Sequence, residues 1–313
     1  MPCRWPKMLK NLKKAWQLNF CNMTRNELIE LIKKKRSFLC VGLDSDIAKI
    51  PAHIIRNFED PVFEFNRRII DATSDFAVAY KPNVAFYESC GSKGWASLEK
   101  TINYLNANLQ GGIFTIADAK RGDIGNTAMH YAKAFYETLG FDALTVNPYM
   151  GHDSLKPYLG IPGKWAIVLG LTSNSGAKDF QLWKPQLIQL LAKMGIITGR
   201  WKHFFEIVIE QCTAWGTHEN TMFVAGATDT AMLSTIRQLG PSHFLLVPGV
   251  GAQGGNLRQV ANAALTNDGG LLVNASRSII FASSGENFEE AARQSAQQMQ
   301  YEMQSLLEAK GIL

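Results

Sequence analysis

Eight short apolar runs, found between residues 37 and 277 of 313, are the feature that most constrains the fold of this chain. Runs that are apolar throughout and rich in β-branched or aromatic residues are typical of strands buried on both faces. Because stretches of helical spacing separate them, the chain is expected to form parallel βα units, and eight such units close into a barrel. The sequence therefore predicts an α/β fold, a single-domain (β/α)8 TIM barrel. The predicted strands are 37–44, 75–83, 113–120, 142–148, 164–172, 221–228, 243–250 and 270–277.

Helical patterns fill the intervals between the predicted strands. Apolar residues recur at helical spacing in 61–72, which opens with a proline, and in 95–109, 127–139 and 287–309. One longer interval, 176–220, is expected to hold one or two helices and an insertion to which the sequence assigns no role. No linker or low-complexity tract divides the series, which favours one domain.

The net charge of +5 is local rather than general. Residues 1–22 contain five basic residues and no acid, so residues 23–313 are formally neutral (+5 minus +5). A neutral body argues against a nucleic-acid partner, which would require many phosphate contacts. No unbroken apolar run approaches twenty residues, so no membrane span is expected. The five cysteines are scattered and form no CxxC pair, which argues against a disulfide framework or a zinc site and favours a reducing cytoplasm.

The basic segment 1–22 has three possible explanations. It is a membrane-surface or targeting helix, a partner-binding arm, or a stretch that precedes the native start. The third is favoured because Thr24 and Glu27, immediately after Met23, form a capping-box pattern that opens a helix. We therefore expect a basic extension over 1–22 and the barrel domain over 23–313.

Polar residues cluster where the predicted strands end. Asp44, Lys81, Asp118, Thr172 and Arg277 all lie at or just past the carboxyl end of a run. The loops at that end of such barrels form the active site. A single polar residue there could simply satisfy loop backbone groups, but charges at the ends of several strands on one face indicate a functional site.

The segment IADAKRGD carries the densest group of charges. Asp118 and Lys120 are two residues apart on a predicted strand and so share a face, and Asp123 follows in the loop. Lys81 ends the preceding strand and is expected beside them. Alternating charges would keep one another ionised, which suits either catalysis or a structural ion-pair network. The residues alone leave both alternatives open.

A separate anion site is predicted after strands seven and eight. The segment PGVGAQGG (248–255) is half glycine, and such a loop can turn successive N–H groups toward a phosphate. Gln253 could add a side-chain amide, and Arg277 a forked donor suited to phosphate oxygens. Phosphate binding by these two loops is recurrent in such barrels.

The motifs FLCVGLD, KPN, IADAKRGDIGNT, LTSN, PGVGAQGG and NASR, in this order over residues 24–300, resemble the orotidine 5'-phosphate decarboxylase family, and its longer bacterial subgroup in particular. The resemblance implies conversion of orotidine 5'-phosphate to UMP and CO2 without cofactor or metal. It also implies a homodimer with active sites at the interface.

The resemblance also implies roles for individual residues. Lys81, Asp118, Lys120 and Asp123 match a charged catalytic tetrad. Lys120 matches the proton donor to C6, and Asp118 the carboxylate beside the leaving CO2. Asp123, with Thr127, matches the pair that reaches the neighbouring subunit's site. The substrate-binding matches are Asp44 and Lys81 for the ribose hydroxyls, Ser173 with Thr172 for the pyrimidine, Gln253 and Arg277 for the phosphate, and Asn83 as a further contact.

Two other functions remain open on this sequence. Magnesium-dependent sugar-phosphate decarboxylases and aldolases share the barrel and the DxKxxD motif, but they need an acid where this chain has Lys81, because a cation there would repel a metal ion. A non-catalytic nucleotide-binding barrel is the second alternative, and the intact tetrad argues against it.

Overall fold

The computed structural model describes residues 23–109, 112–185, 190, 194–195, 201–227, 229–250 and 255–313. Eight parallel strands pair in chain order, and the last pairs with the first to close a barrel. This confirms the predicted (β/α)8 fold and all eight predicted strands. The strands are β1 (Leu39–Leu43), β2 (Ala77–Pro82), β3 (Phe114–Arg121), β4 (Ala143–Val146), β5 (Trp165–Leu171), β6 (Thr221–Ala225), β7 (Phe244–Pro248) and β8 (Leu271–Ala275).

Helices surround the barrel and follow the predicted pattern. They are α1 (Arg25–Lys35), α2 (Ala52–Asn57), α3 (Pro61–Thr73), α4 (Val84–Glu88), α5 (Gly91–Asn108), α6 (Gly125–Ala132), α7 (His152–Leu159), α8 (Phe204–Trp215), α9 (Thr230–Leu239), α10 (Leu257–Ala264), α11 (Arg277–Ile280) and α12 (Phe288–Ala309). The helix predicted over 127–139 begins at Gly125 and continues beyond α6 as a π-helical turn, Lys133–Thr138. In the 176–220 interval, α8 supplies a predicted helix, and much of the remainder lies outside the described residues.

Helix α3 illustrates how sequence signals set an element and its packing. Asp60 caps the helix, because its Oδ1 accepts a hydrogen bond from the Phe63 N–H at 3.1 Å, and Pro61 occupies the first turn. Phe65, on the inner face, is fully buried. Its ring stacks on those of Phe281 and Phe288, with ring centres 5.6 and 5.4 Å apart, respectively. Burial of such a ring contributes about 1.5–3 kcal/mol, and Phe65→Ala would cost about 3–5 kcal/mol once the cavity is included.

The amino end of the barrel is plugged by aromatic side chains. Phe114, Trp165 and Phe244 begin three alternate strands, and both phenylalanine rings meet the buried indole edge-on. The indole Nε1–H donates to the Met23 carbonyl at 2.8 Å, which ties the start of α1 to this plug. The predicted capping box is confirmed, since Glu27 and Thr24 exchange hydrogen bonds at the start of α1. The active sites of such barrels lie at the opposite, carboxyl end.

Among the described residues, no helix has both the length and the apolar character needed to cross a bilayer.

Candidate active site

A chain of ion pairs lies across the ends of the first three strands. Asp118 on β3 divides its two carboxylate oxygens between two lysines: Lys81 Nζ is 2.7 Å from Oδ2, and Lys120 Nζ is 2.6 Å from Oδ1. Asp44, just after β1, lies 4.0 Å from Lys81 Nζ. The structure therefore brings together Lys81, Asp118 and Lys120, as the sequence predicted, and places Asp44 beside Lys81.

Burial differs sharply between the two lysines. The Lys81 side chain is 5% exposed, whereas that of Lys120 is 50% exposed and faces the open mouth of the barrel. Lys81 is thus an internal charge at the base of the cluster, and Lys120 is the more exposed of the two cations.

The lysines keep Asp118 ionised. Burial alone would raise the pKa of Asp118, but the charges of Lys81 and Lys120 outweigh it and hold that pKa well below its usual range. Burial likewise opposes the charged form of Lys81, and the carboxylates of Asp118 and Asp44 reverse the effect and raise its pKa. Asp118 and Lys81 are therefore both charged at neutral pH.

The end of β3 is not a regular strand. Ala117 pairs with Leu144 and Arg121 with Val146, so residues 118–120 of β3 face the single residue Thr145 of β4. Within this bulge Lys120 has a left-handed backbone, with φ of 47°, which non-glycine residues rarely adopt. Bulges commonly redirect a side chain beside an active site.

Asp123 lies apart from the other charged groups of its own chain. Its Oδ1 accepts a hydrogen bond from the Ile124 N–H at 2.8 Å, and among the described residues it forms no ion pair. Thr127 is exposed on the first turns of α6. Within one chain, Asp123 therefore does not join the cluster that Asp118 organises.

Asp44 and Asn83 border the cluster. Asp44 Oδ1 is buried, has no hydrogen-bond partner among the described residues, and lies 4.0 Å from Lys81 Nζ. Asn83 forms a backbone bridge with Asp118 and precedes α4. Both residues are half-buried at the rim of the site.

The loop after β5 is held by side-chain amides. Gln181 Oε1 accepts a hydrogen bond from the Thr172 N–H at 2.8 Å, and Thr172 Oγ1 donates to Asn174 Oδ1 at 2.6 Å. Ser173 is half-buried next to the end of β6, where a Cβ on Gly226 would come within 3.2 Å of the Ser173 backbone. Thr172 and Ser173 thus form a well-defined edge of the barrel mouth.

The glycine-rich loop after β7 is described only at its two ends. Gly249 has φ of 98°, and the Gly255 N–H donates to the Gly249 carbonyl at 3.1 Å, which closes the base of the loop. A Cβ on Gly255 would meet Ala227 Cβ at 2.8 Å, so glycine is required there. Gln253 lies outside the described residues, and Arg277 is exposed at the start of α11.

Sequence reasoning missed two groups that shape the site. Thr145, on β4, contacts both Asp118 and Lys120. Arg121 pairs with Glu88, and its guanidinium lies 5.4 Å from the ring centres of both Tyr131 and Phe135. The available signals were a threonine within an apolar strand and an arginine inside the charged motif.

Among the described residues, no group of three or more His, Cys, Asp or Glu side chains is arranged to hold a metal ion. The closed barrel and the charged cluster at its carboxyl end define a (β/α)8-barrel enzyme. A protein-family model described as "Orotidine 5'-phosphate decarboxylase / HUMPS family" matches residues 37–294. The chain belongs to this family.

Relatives and solved structures agree with this assignment. An orotidine 5'-phosphate decarboxylase of Flavobacterium johnsoniae is 51% identical over 288 residues, covering 92% of this chain and 100% of that protein. One of Christiangramia forsetii is 53% identical over 286 residues, covering 91% and 99%. The solved structure of Leishmania donovani OMP decarboxylase has 34% identity and a TM-score of 0.72, covering 91% of this chain and 99% of its own.

Proposed function

We propose that this enzyme converts orotidine 5'-phosphate to UMP and CO2 in pyrimidine nucleotide synthesis, using Lys120 as the charge that meets the reacting carbon. The supporting observation is the arrangement Lys81–Asp118–Lys120, a rigid ion-pair chain whose outer cation faces the barrel mouth. Relatives about half identical over nearly their whole length carry the name of this activity.

The reaction explains why a preplaced cation is needed. Loss of CO2 from C6 leaves a lone pair in the plane of the pyrimidine ring, where the ring carbonyls cannot delocalise it. Stabilisation must therefore be electrostatic, from a charge already in position. The Lys120 ammonium supplies that charge and then delivers a proton to C6.

Asp118 contributes in two ways under this proposal. It holds the Lys120 ammonium at 2.6 Å and so keeps it oriented. Placed beside the substrate carboxylate, it also adds a repulsion that is relieved as CO2 departs. Lys81, buried on the other oxygen, fixes Asp118 in place.

Substrate binding is assigned to the rim of the barrel. We assign Asp44 and Lys81 to the ribose hydroxyls, and Asn83 lies beside them. Thr172 and Ser173 are assigned to the pyrimidine. Gln253 and Arg277 are assigned to the phosphate. Because the phosphate lies far from C6, its binding energy can support closure and orientation rather than ground-state affinity alone.

We further propose a homodimer in which Asp123 and Thr127 complete the partner's site. Asp123 carries no ion pair to the described residues of its own chain, which leaves it available to another. Exposed apolar side chains lie in the segments that follow β3 and β4: Ile124, Met129, Tyr149 and Met150. A contiguous exposed apolar surface marks a protein interface.

The proposed reaction uses neither cofactor nor metal and takes place in the cytoplasm. The family description also covers HUMPS proteins, so the magnesium-dependent alternative requires a test. Lys81 argues against it, because a buried ammonium beside Asp44 and Asp118 occupies the space where a divalent cation would bind. Cys40, Cys90 and Cys212 are free thiols, which suits a reducing compartment.

An ultraviolet assay of orotidine 5'-phosphate, run with and without EDTA, tests the proposal. We expect turnover that chelation leaves unchanged. Loss of activity in EDTA that magnesium restores would favour the sugar-phosphate alternative. Binding of UMP by folded protein without any turnover would indicate a nucleotide-binding barrel instead.

A further inference from the structure

Thr145 occupies the one position on β4 that faces the bulge of β3. Because residues 118–120 stand against this single residue, the regular backbone ladder is interrupted there and resumes where the Asn147 N–H donates to the Arg121 carbonyl at 2.7 Å. The register of the two strands gives Lys120 no paired residue on β4. Its N–H donates instead to Thr145 Oγ1 at 2.9 Å.

The same hydroxyl also reaches the central carboxylate. Thr145 Oγ1 lies 3.1 Å from Asp118 Oδ1 and 3.5 Å from the Ala117 carbonyl. A hydroxyl has one proton to donate, and the closer, charged acceptor takes it. Thr145 is 1% exposed, so its hydroxyl is shielded from solvent.

We propose that Thr145 is a positioning residue for decarboxylation, whose hydroxyl locks the Asp118 carboxylate and the left-handed backbone of Lys120 in one geometry. The inference rests on the proposed roles of these two residues. One side chain joins the two ends of the Asp118–Lys120 ion pair, so the ammonium is fixed through its own backbone as well as through its partner.

The expected effect lies on turnover rather than on binding. Thr145 is below the mouth, and the proposed ribose, pyrimidine and phosphate contacts belong to other strands. Loss of its hydroxyl leaves the Lys120 N–H without this acceptor and a carboxylate oxygen with one donor fewer. The Lys120 ammonium would then sample positions away from C6, which lowers kcat and leaves KM nearly unchanged.

The test compares Thr145→Val with Thr145→Ser. Valine keeps the shape and removes the hydroxyl, and we expect kcat to fall on the order of tenfold to a hundredfold, the scale of a buried hydrogen bond to a charged group. Serine keeps the hydroxyl and should retain kcat within about threefold, with KM for orotidine 5'-phosphate similar in both variants. If the valine chain does not fold, Thr145→Ala against Thr145→Ser provides the same comparison.

Thr115→Val is the matched control. Thr115, like Thr145, is buried on a strand. Its hydroxyl donates a hydrogen bond to the buried carboxylate of Asp142, at 2.8 Å from Oδ2, and accepts one from the Asp142 backbone N–H at 3.0 Å. It lies at the amino end, so Thr115→Val should lower the melting temperature without lowering kcat.

Two results would overturn the proposal: a folded Thr145→Val enzyme with wild-type kcat, or a serine variant as slow as the valine one. Lys120→Ala, assayed alongside, separates this failure from failure of the proposed mechanism. If Lys120→Ala is inactive while Thr145→Val is normal, only the role of Thr145 is refuted. If Lys120→Ala retains full activity, the catalytic assignment itself is wrong.

Discussion

Lys81 and Asp118 form a buried ion pair, with Nζ 2.7 Å from Oδ2 and side chains only 5% and 12% exposed. Taking two charges out of water is costly, and the pair recovers that cost only because each charge has a close partner. This relationship makes the active site an internal part of the barrel rather than a surface feature, and it links the chemistry to the stability of the fold.

Asp118→Ala should therefore destabilise the protein as well as inactivate it. It leaves Lys81 buried with only Asp44, at 4.0 Å, as a counter-charge, and we expect a loss of about 3 kcal/mol in the free energy of unfolding. The double variant Lys81→Met/Asp118→Leu should regain most of that stability while remaining inactive. Denaturant unfolding measures the stability of the single and the double variant. As a control, Glu30→Ala removes the exposed ion pair between Glu30 and Lys33 and should change the free energy of unfolding by no more than about 0.5 kcal/mol. A double variant no more stable than Asp118→Ala would contradict the explanation.

Mixed dimers should show whether Asp123 serves the partner subunit. Lys120→Ala and Asp123→Asn chains, each inactive alone, should regain partial activity when combined, because one of the two sites in a heterodimer then carries both wild-type residues. Differently tagged chains purified as verified heterodimers, followed by the ultraviolet assay, give the measurement. Inactive heterodimers would count against a shared site.

Arg277→Ala should weaken substrate binding at the phosphate. A forked, charge-assisted contact to phosphate is being removed, so KM should rise on the order of tenfold to a hundredfold. Lys33→Ala, which removes an equal charge from α1 outside the site, should leave KM unchanged. Steady-state kinetics at matched ionic strength measure both, and equal effects of the two substitutions would mean that only net charge matters.

His243 should make the fold sensitive to mild acid. It is buried just before β7, and neither ring nitrogen has a hydrogen-bond partner among the described residues. Burial, together with the neighbouring His218, Arg237 and Arg25, lowers the pKa of His243 to about 4. Between about pH 6.5 and pH 4, His243 is therefore protonated in the unfolded state but neutral in the folded state. Proton binding favours the unfolded state over this range, so the free energy of unfolding falls as the pH drops toward 4.

Urea unfolding at two pH values measures this effect. Between about pH 7 and pH 5, His243 should account for a loss of about 2 kcal/mol, and His243→Phe should remove that part of the pH dependence. Activity at neutral pH should not change, because the residue lies at the amino end of the barrel. An identical pH dependence in the variant would assign the effect to other groups.

The barrel and the site's general location could be predicted from sequence because both depend on short-range patterns. Strands buried on both faces, such as β5, appear in the sequence as continuous apolar runs. Parallel strands then bring their carboxyl ends together, which places Asp44, Lys81 and Asp118 at one mouth without knowledge of any contact.

The bulge in β3 could not be predicted in this way. The expectation that Asp118 and Lys120 share a face assumed a regular strand, and the two side chains do meet, but across an irregular backbone with Lys120 in a left-handed conformation. That conformation depends on the Thr145 hydroxyl of the next strand, and such a tertiary contact leaves no periodic trace in the sequence.

Because Lys120 has a left-handed backbone, selection for stability and selection for activity favour different residues at this position. For a residue with a Cβ, this conformation costs about 1–2 kcal/mol of conformational energy. Glycine adopts it without that cost, and asparagine tolerates it better than most residues. A screen for heat resistance alone would therefore tend to drift toward asparagine or glycine at position 120 and lose the enzyme. Lysine persists there only where turnover is selected, so its identity in a new sequence reports on retained activity more directly than the identity of any core residue.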